Sequence, residues 1–285
     1  MPLLLLASLI WAFSFGLIKG QLAGIDSTAV ATLRLALALL VFLPFFRKSA
    51  VTARTGLRLA LIGAVQFGLM YLLYQRSYLY LPAYAVVLFT LTTPLFLALI
   101  DALLERRLHA RFLLAAVLAL LGSAAVWFND TPRGDLLKGF LLVQLANVCF
   151  AAGQLAWRRE RAKIPAAVSD AALFALPYAG AVALCALVSL GITNWGAVHI
   201  TASQWGVLAY LGIISSGACF FWWNLGATRV NVGTLAVFNN AKVPLGVACS
   251  LLFFGEHANV PRLLAGLALM ALAVWVAERR PAAAA

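Results

Sequence analysis

Ten runs of about twenty apolar residues, separated by short polar connections, dominate this sequence of 285 residues. A helix needs about 20 residues to cross the hydrocarbon core of a bilayer. Because unpaired backbone groups are costly in lipid, each run is expected to be helical. We therefore predict an all-α integral membrane protein with ten transmembrane helices, at 2–20, 27–46, 57–76, 83–104, 112–128, 138–157, 168–190, 204–226, 233–254 and 261–278.

The composition excludes a soluble protein. Apolar residues make up 64% of the chain and charged residues only 11%, whereas soluble domains are about 45–50% apolar and about 25% charged. The net charge of +12 comes from 21 Lys and Arg against nine acids, and the basic residues stand in short clusters between the apolar runs. The tendency of basic loops to stay in the cytoplasm explains such clusters. We therefore expect the protein to associate with the lipid bilayer and not with nucleic acid.

The basic residues also predict an orientation. If the ten runs cross the membrane in turn, fourteen Lys and Arg fall on one side and five on the other. The more basic side is expected to face the cytoplasm. Both termini lie on that side, so both are predicted to be cytoplasmic.

The two halves of the chain, 1–128 and 138–278, look like copies of one five-helix unit. Each half has a proline within its fourth run, a glutamate at the end of that run and an arginine six residues later. In chain order these are Pro94, Glu105 and Arg111 in the first half and Pro244, Glu256 and Arg262 in the second. Five is an odd number, so the second copy enters the membrane inverted. Inverted repeats are typical of secondary transporters, whose substrate site lies near the membrane midplane between the repeats.

Motifs in both halves resemble the EamA module of the drug/metabolite transporter superfamily. They are Trp11-Ala12-Phe13-Ser14-Phe15 with Arg34, Leu91-Thr92-Thr93-Pro94 with Glu105-Arg106-Arg107-Leu108, and Gly255-Glu256 followed by Leu263-Leu264-Ala265-Gly266-Leu267-Ala268-Leu269. The size and the aromatic content resemble bacterial amino-acid exporters of the YddG kind. The resemblance implies a multi-pass protein of the bacterial inner (plasma) membrane that exports aromatic or neutral amino acids, or similar small metabolites, by alternating access. Asn239-Asn240-Ala241-Lys242 departs from the apolar or hydroxylated residues of many relatives.

Pro94 and Pro244 are candidate hinge or gating residues. A proline within a helix leaves the carbonyl four residues earlier without its helical partner, here the carbonyls of Thr90 and Asn240. One interpretation is a kink that exposes backbone to a central cavity. The other is a kink that neighbouring side chains satisfy.

Lys242 is the leading candidate for binding a substrate. A charge near the centre of a membrane helix costs at least about 2.5–3.5 kcal/mol, and such residues are usually functional. Lys242 could bind a carboxylate or exchange protons, with Asn239 on the same helix face. The alternative is a structural lysine that donates to the carbonyls freed by the prolines. Arg34 is interpreted as structural, because it lies close enough to the end of its run to reach the interface.

Other polar and aromatic residues inside the runs are predicted to line the same cavity, since pockets combine apolar walls with a few polar groups. Some of the aromatic residues could instead belong to the belt at the membrane interface. Glu105 and Glu256 are interpreted as charges at the interface. The full set of predicted substrate-binding residues is Trp11, Ser14, Tyr74, Thr90, Asn147, Gln154, Trp223, Asn239, Asn240 and Lys242.

The sequence contains no motif for catalysis, a metal or a cofactor. No carboxylate lies near the middle of a run, and neither a P-loop nor an HExxH motif is present. We therefore expect a transporter of a small molecule, monomeric or homodimeric, with no catalytic residues, metal or cofactor. The alternatives are multidrug or metabolite efflux, a channel, or a membrane enzyme that uses His257.

Overall fold

The computed structural model describes residues 2–104, 114, 117–118, 121–122, 125, 133–230 and 232–278. Every long element in this part is a helix. The helices are α1 (Pro2–Gln21), α2 (Ser27–Phe42), α3 (Ala53–Ser77), α4 (Ala83–Leu104), α5 (Arg133–Arg161), α6 (Asp170–Ile192), α7 (Ala202–Ala227), α8 (Val232–Phe253) and α9 (Val260–Glu278).

The helices coincide with nine of the ten predicted spans. The remaining span, 112–128, has helical positions at 114, 117–118, 121–122 and 125, and its other residues lie outside the described part. Helices α1 to α7 are each long and apolar enough to cross a membrane, and α8 and α9 contain the shorter apolar stretches Lys242–Phe253 and Val260–Val276. The chain is thus a multi-pass membrane protein.

Side chains near the helix ends explain where several helices begin. Asp26 caps α2, because its Oδ1 accepts from the backbone N–H groups of Thr28 and Ala29 at 3.0 and 2.8 Å. Thr201 and Gln204 form a reciprocal capping box at the start of α7. Gly255 follows α8 with φ of 65°, a conformation that suits glycine after a helix end.

Three helices depart from regular α geometry in the middle. Helix α3 is π-helical over Ala64–Leu69, and α7 is π-helical over Tyr210–Ala218. Helix α4 contains a 3₁₀ turn at Thr90–Thr92, directly before Pro94. Such segments change the direction of backbone carbonyls and often occur at functional sites.

The main helix contacts connect the two halves of the chain. Helix α1 packs on α8 and α7, and α2 packs on α7. Helix α3 packs on α5 and α6, and α4 packs on α5. Glycines allow the closest approach between α3 and α6. A Cβ on Gly63 would lie 1.9 Å from the carbonyl oxygen of Pro177, and a Cβ on Gly180 would lie 1.9 Å from that of Ala60.

The two ends of the bundle carry different polar contacts. At one end, named here the Glu160 end, Arg58 pairs with Glu160 at 3.2 Å and Arg161 with Asp170 at 2.6 Å. At the opposite end, named the Glu256 end, the Lys19 Nζ donates to the carbonyl oxygen of Tyr78 at 2.6 Å.

The sequence indicated a charge at the interface for Glu256, but in the structure this residue also has a capping role. Its two carboxylate oxygens accept from the backbone N–H groups of Ala83 and Tyr84 at 2.6 and 2.9 Å, so it caps α4 from outside that helix. A carboxylate is favourable there because the first N–H groups of a helix are unpaired and the N-terminus is partly positive. The matching residue of the first half, Glu105, lies outside the described residues.

Candidate functional site

A cavity of about 80 Å³ lies where α1, α2, α3, α4, α5, α7 and α8 converge. Six aromatic side chains supply much of its wall: Trp11, Phe15, Tyr71, Tyr74, Phe150 and Phe220. Its polar lining consists of Ser14, Arg34, Thr90, Thr93, Asn147, Ser215 and Lys242. The volume is below the roughly 300–1,000 Å³ of pockets for drug-sized ligands, so the helices must separate to admit a molecule of that size.

The predicted binding residues divide into three groups. Six line the cavity: Trp11, Ser14, Tyr74, Thr90, Asn147 and Lys242. Gln154, Trp223 and Asn239 are buried but do not line the cavity. The side chain of Asn240 lies outside the described residues, and neither Pro94 nor Pro244 is part of the wall.

Lys242 reaches the cavity from α8. Its Nζ donates to Asn239 Oδ1 at 3.0 Å and lies 5.2 Å from the ring centre of Trp11. The partner is a side-chain amide from the same helix face, as the spacing predicted. Within the described part of the chain, no carboxylate forms an ion pair with Lys242.

Arg34 does not reach the membrane interface, contrary to the interpretation from the sequence. The side chain is 2% exposed and lines the cavity, because α6 and α7 pack over α2. Its Nη2 donates to Tyr71 Oη at 3.0 Å and to Ser216 Oγ at 3.1 Å. Within the residues that the structure describes, its Nη1 has no hydrogen-bond partner and no carboxylate pairs with it.

Side chains satisfy the backbone next to Pro94. The carbonyl oxygen of Thr90, which the proline frees, accepts from Thr93 Oγ1 at 2.7 Å. The Asn147 Nδ2 on α5 donates to the carbonyl oxygen of Phe89 at 2.9 Å and to Thr92 Oγ1 at 3.0 Å. The kinked segment of α4 is therefore held by α5 at the cavity wall. A hinge role for either proline stays a prediction.

The π-helical part of α7 contributes residues that the sequence did not single out. The carbonyl oxygen of Ser215 accepts from the Trp11 Nε1 at 2.8 Å, and Ser215 Oγ accepts from Ser14 Oγ at 3.0 Å. Ser216 Oγ accepts from Arg34, and Phe220, just beyond the π-helical segment, adds an aromatic ring. Two consecutive serines inside an apolar run were the available signal, but their spacing does not reveal a π-helix.

Comparison with known proteins places the chain in a transporter family. The model of the EamA-like transporter family matches residues 1–128. A protein of Pseudomonas aeruginosa strain PAO1 named "Probable biotin transporter" is 41% identical over 277 residues, which are 97% of this chain and 96% of that protein. Proteins named "Biotin transporter" from Salmonella typhimurium LT2 and Escherichia coli K12 are 37% identical over 278 residues, 97% of this chain and 92% of theirs.

A solved crystal structure supports the fold. It superposes with a TM-score of 0.68 at 20% identity and covers 97% of this chain and 95% of the solved chain. The predicted EamA-type membership is confirmed, whereas the names of these relatives point to biotin and not to amino acids. The chain belongs to the EamA-like transporter family of the drug/metabolite transporter superfamily.

Proposed function

We propose that this protein is a secondary transporter of biotin, with the substrate bound in the central cavity. One observation carries the proposal: Arg34 and Lys242 both line an aromatic cavity, and neither has a carboxylate partner within the described part of the chain. A buried charge in a membrane normally has an opposite charge beside it. A small monocarboxylate with an apolar body would supply that charge, and biotin is such a molecule.

The lining groups have distinct parts in this proposal. Lys242 binds the substrate carboxylate, since its ammonium has donors beyond the single bond to Asn239. Arg34 provides a second positive charge through its unpartnered Nη1. The aromatic rings pack against the apolar rings and chain of the substrate.

The lining supports biotin over the amino acids expected from the resemblance. A zwitterionic amino acid brings an ammonium group that needs a carboxylate or several acceptors. The described cavity wall contains two cations and no carboxylate. Export of neutral or aromatic amino acids therefore stays a prediction, and amino acids become competitors in the test below.

The proposal includes alternating access between two inverted repeats, 1–128 and 138–278, in the bacterial inner membrane with both termini in the cytoplasm. The helix contacts support the two repeats, because exchanging each helix with its equivalent in the other half turns one observed contact into another. Exchanging α1 with α5, α2 with α6, α3 with α7 and α4 with α8 turns the α1–α8 contact into α5–α4 and the α3–α6 contact into α7–α2. The π-helical segments occur in α3 and α7, which this exchange also relates.

Counterflow in proteoliposomes tests the transported substrate. Vesicles loaded with unlabelled biotin should accumulate labelled biotin, and external biotin should compete. Biotin amide, which has the same shape without the negative charge, should compete about tenfold or more weakly, because hydrogen bonds to charged groups contribute about 1.5–3 kcal/mol. Accumulation of a labelled amino acid without any exchange of biotin would overturn the proposal in favour of the amino-acid exporter.

A further inference from the structure

Gln154 on α5 is buried with both polar atoms of its amide unused. The side chain is 0% exposed, and neither Nε2 nor Oε1 has a hydrogen-bond partner among the described residues. Leaving a buried donor and acceptor unpaired is unfavourable, and more so where lipid replaces water. This amide is therefore free to bind the donor and the acceptor of a ligand.

Gln154 lies on the same face of α5 as two residues that line the cavity. Residues 147, 150 and 154 are spaced by three and four, so they share one face of α5. Asn147 and Phe150 line the cavity, and Gln154 lies one turn further towards the Glu160 end. The seven residues from Asn147 to Gln154 rise about 10 Å along the helix.

Trp223 on α7 offers a second unused donor on the same side. It lies three residues beyond Phe220, its side chain is 0% exposed, and its indole Nε1 has no hydrogen-bond partner in the part of the chain that the structure describes. Its ring centre lies 5.1 Å from that of Trp11 and 6.5 Å from that of Phe150, both of which line the cavity. Trp223 thus stands directly behind the aromatic wall.

Neighbouring amides are not left unpaired in the same way. The Gln66 Nε2 donates to Asn224 Oδ1 at 3.0 Å, and the Asn224 Nδ2 donates to the carbonyl oxygen of Phe220 at 2.9 Å. Gln66 packs against Gly153, the residue before Gln154, because a Cβ on that glycine would lie 2.2 Å from Gln66 Cβ. This part of the bundle satisfies these two amides, whereas the Gln154 amide and the indole Nε1 groups of Trp157 and Trp223 have no hydrogen-bond partner among the described residues.

We propose that Gln154 and Trp223 form a subsite for a cyclic urea group of the substrate, separate from the carboxylate site at Lys242. A carboxamide presents an N–H and a C=O side by side, which match the C=O and N–H of a urea in two reciprocal hydrogen bonds. The Trp223 indole donates to the remaining lone pair of the urea oxygen. Biotin has a cyclic urea at one end and a carboxylate at the other, so the inference rests on the proposed function.

Replacing Gln154 by Met, which has a similar shape and no hydrogen-bonding amide, tests recognition of the urea separately from recognition of the carboxylate. The competing ligands are biotin and 5-(thiolan-2-yl)pentanoate, which keeps the sulfur ring and the carboxylate but lacks the urea. Gln154→Met should weaken biotin about 10- to 100-fold in counterflow competition, because the urea is then left unpaired in a buried site. The urea-free acid should change by less than about twofold, since its contacts are conserved.

Thermal unfolding in detergent guards against a misfolded variant. Gln154→Met should be at least as stable as the wild-type protein, because an unpaired buried amide is replaced by an apolar side chain. Gln75→Met is the matched control, since Gln75 is also buried, its Nε2 has no partner among the described residues, and it lies near the Glu256 end of α3. It should leave the ratio of the two affinities unchanged.

The outcomes distinguish this subsite from the transport activity. If Gln154→Met weakens both ligands equally or neither of them, or lowers the unfolding temperature, the subsite is refuted while biotin transport stands. In the wild-type protein, biotin methylated on a urea nitrogen should also bind about tenfold or more weakly, as it loses one of the reciprocal bonds. If wild-type vesicles exchange no biotin, the proposed function fails and the subsite fails with it.

Discussion

At the scale of single residues, the buried cations are expected to lower the stability of the fold while serving substrate binding. The ammonium of Lys242 has one described hydrogen bond, to Asn239, and no described carboxylate partner. A buried charge without a counter-ion destabilises the fold. Retaining it is understandable if a substrate carboxylate completes the site during transport.

Lys242→Met should therefore lose binding without losing stability. We expect the apparent affinity for biotin to fall about 10- to 100-fold, because a hydrogen bond to a charged group, which contributes about 1.5–3 kcal/mol, is lost. The unfolding temperature in detergent should not fall, because the buried charge is removed. Lys138→Met is the control, since the Lys138 side chain is 65% exposed, and it should change neither quantity. Unaltered biotin affinity in folded Lys242→Met would show that the carboxylate binds elsewhere.

Part of the candidate site could be predicted from the sequence, because polar side chains are rare in apolar runs. Lys242, Asn147 and Thr90 were found in that way and line the cavity. Arg34 was misjudged because its depth was counted along its own helix. Burial depends on neighbouring helices, here α6 and α7, and helical spacing gives a face but not the partner that covers it.

At the scale of helices, hydrophobic runs located the described helices to within a few residues, because length and apolarity determine a membrane span. The π-helical segments of α3 and α7 could not be predicted, since hydrophobic periodicity does not encode a local change of hydrogen bonding. Close packing accompanies them: a Cβ on Gly212 in α7 would lie 2.6 Å from Leu37 Cβ. The cap that Glu256 provides for α4 also escaped prediction, because it joins residues far apart in sequence.

Gly63→Ala should disrupt the packing of α3 on α6. The added Cβ would lie 1.9 Å from the carbonyl oxygen of Pro177, and a backbone atom cannot move aside as a flexible side chain can. We expect a loss of about 1–3 kcal/mol, the usual cost of overpacking, seen as a lower unfolding temperature in detergent. Gly191→Ala on α6 is the matched control, because nothing lies within 4 Å of the position that its Cβ would take. Equal unfolding temperatures for both variants would contradict this close contact.

At the scale of the whole molecule, charge and structure agree on which end is basic. Arg58, Arg161 and Lys163 all lie at the Glu160 end, where they pair with acids or lie beside them. The connection after α6 lies at the opposite end, because Thr193 Oγ1 donates to Asp26 Oδ1 at the start of α2 and Gln204 Nε2 donates to the Gln21 carbonyl oxygen at the end of α1. The excess of basic residues predicts that the Glu160 end faces the cytoplasm.

Single cysteines at the two ends test this orientation. The exposed Lys163 and Ala197 lie at the Glu160 and the Glu256 end respectively. In a background with Cys149, Cys185, Cys219 and Cys249 replaced by Ala, a membrane-impermeant maleimide added to intact spheroplasts should label Ala197→Cys. Lys163→Cys should be labelled only after the membrane is permeabilised, because positive loops stay in the cytoplasm.

The two positions control for each other, since a cysteine at either end must react once the membrane is open. Labelling of Lys163→Cys in intact spheroplasts, with Ala197→Cys protected, would reverse the orientation. Labelling of both in intact spheroplasts would indicate a mixed insertion, in which the charge difference between the ends does not decide the topology. An orientation with the Glu160 end inside would also place the Gln154 subsite on the cytoplasmic side of the cavity, so that the urea of the substrate lies nearer the cytoplasm than its carboxylate.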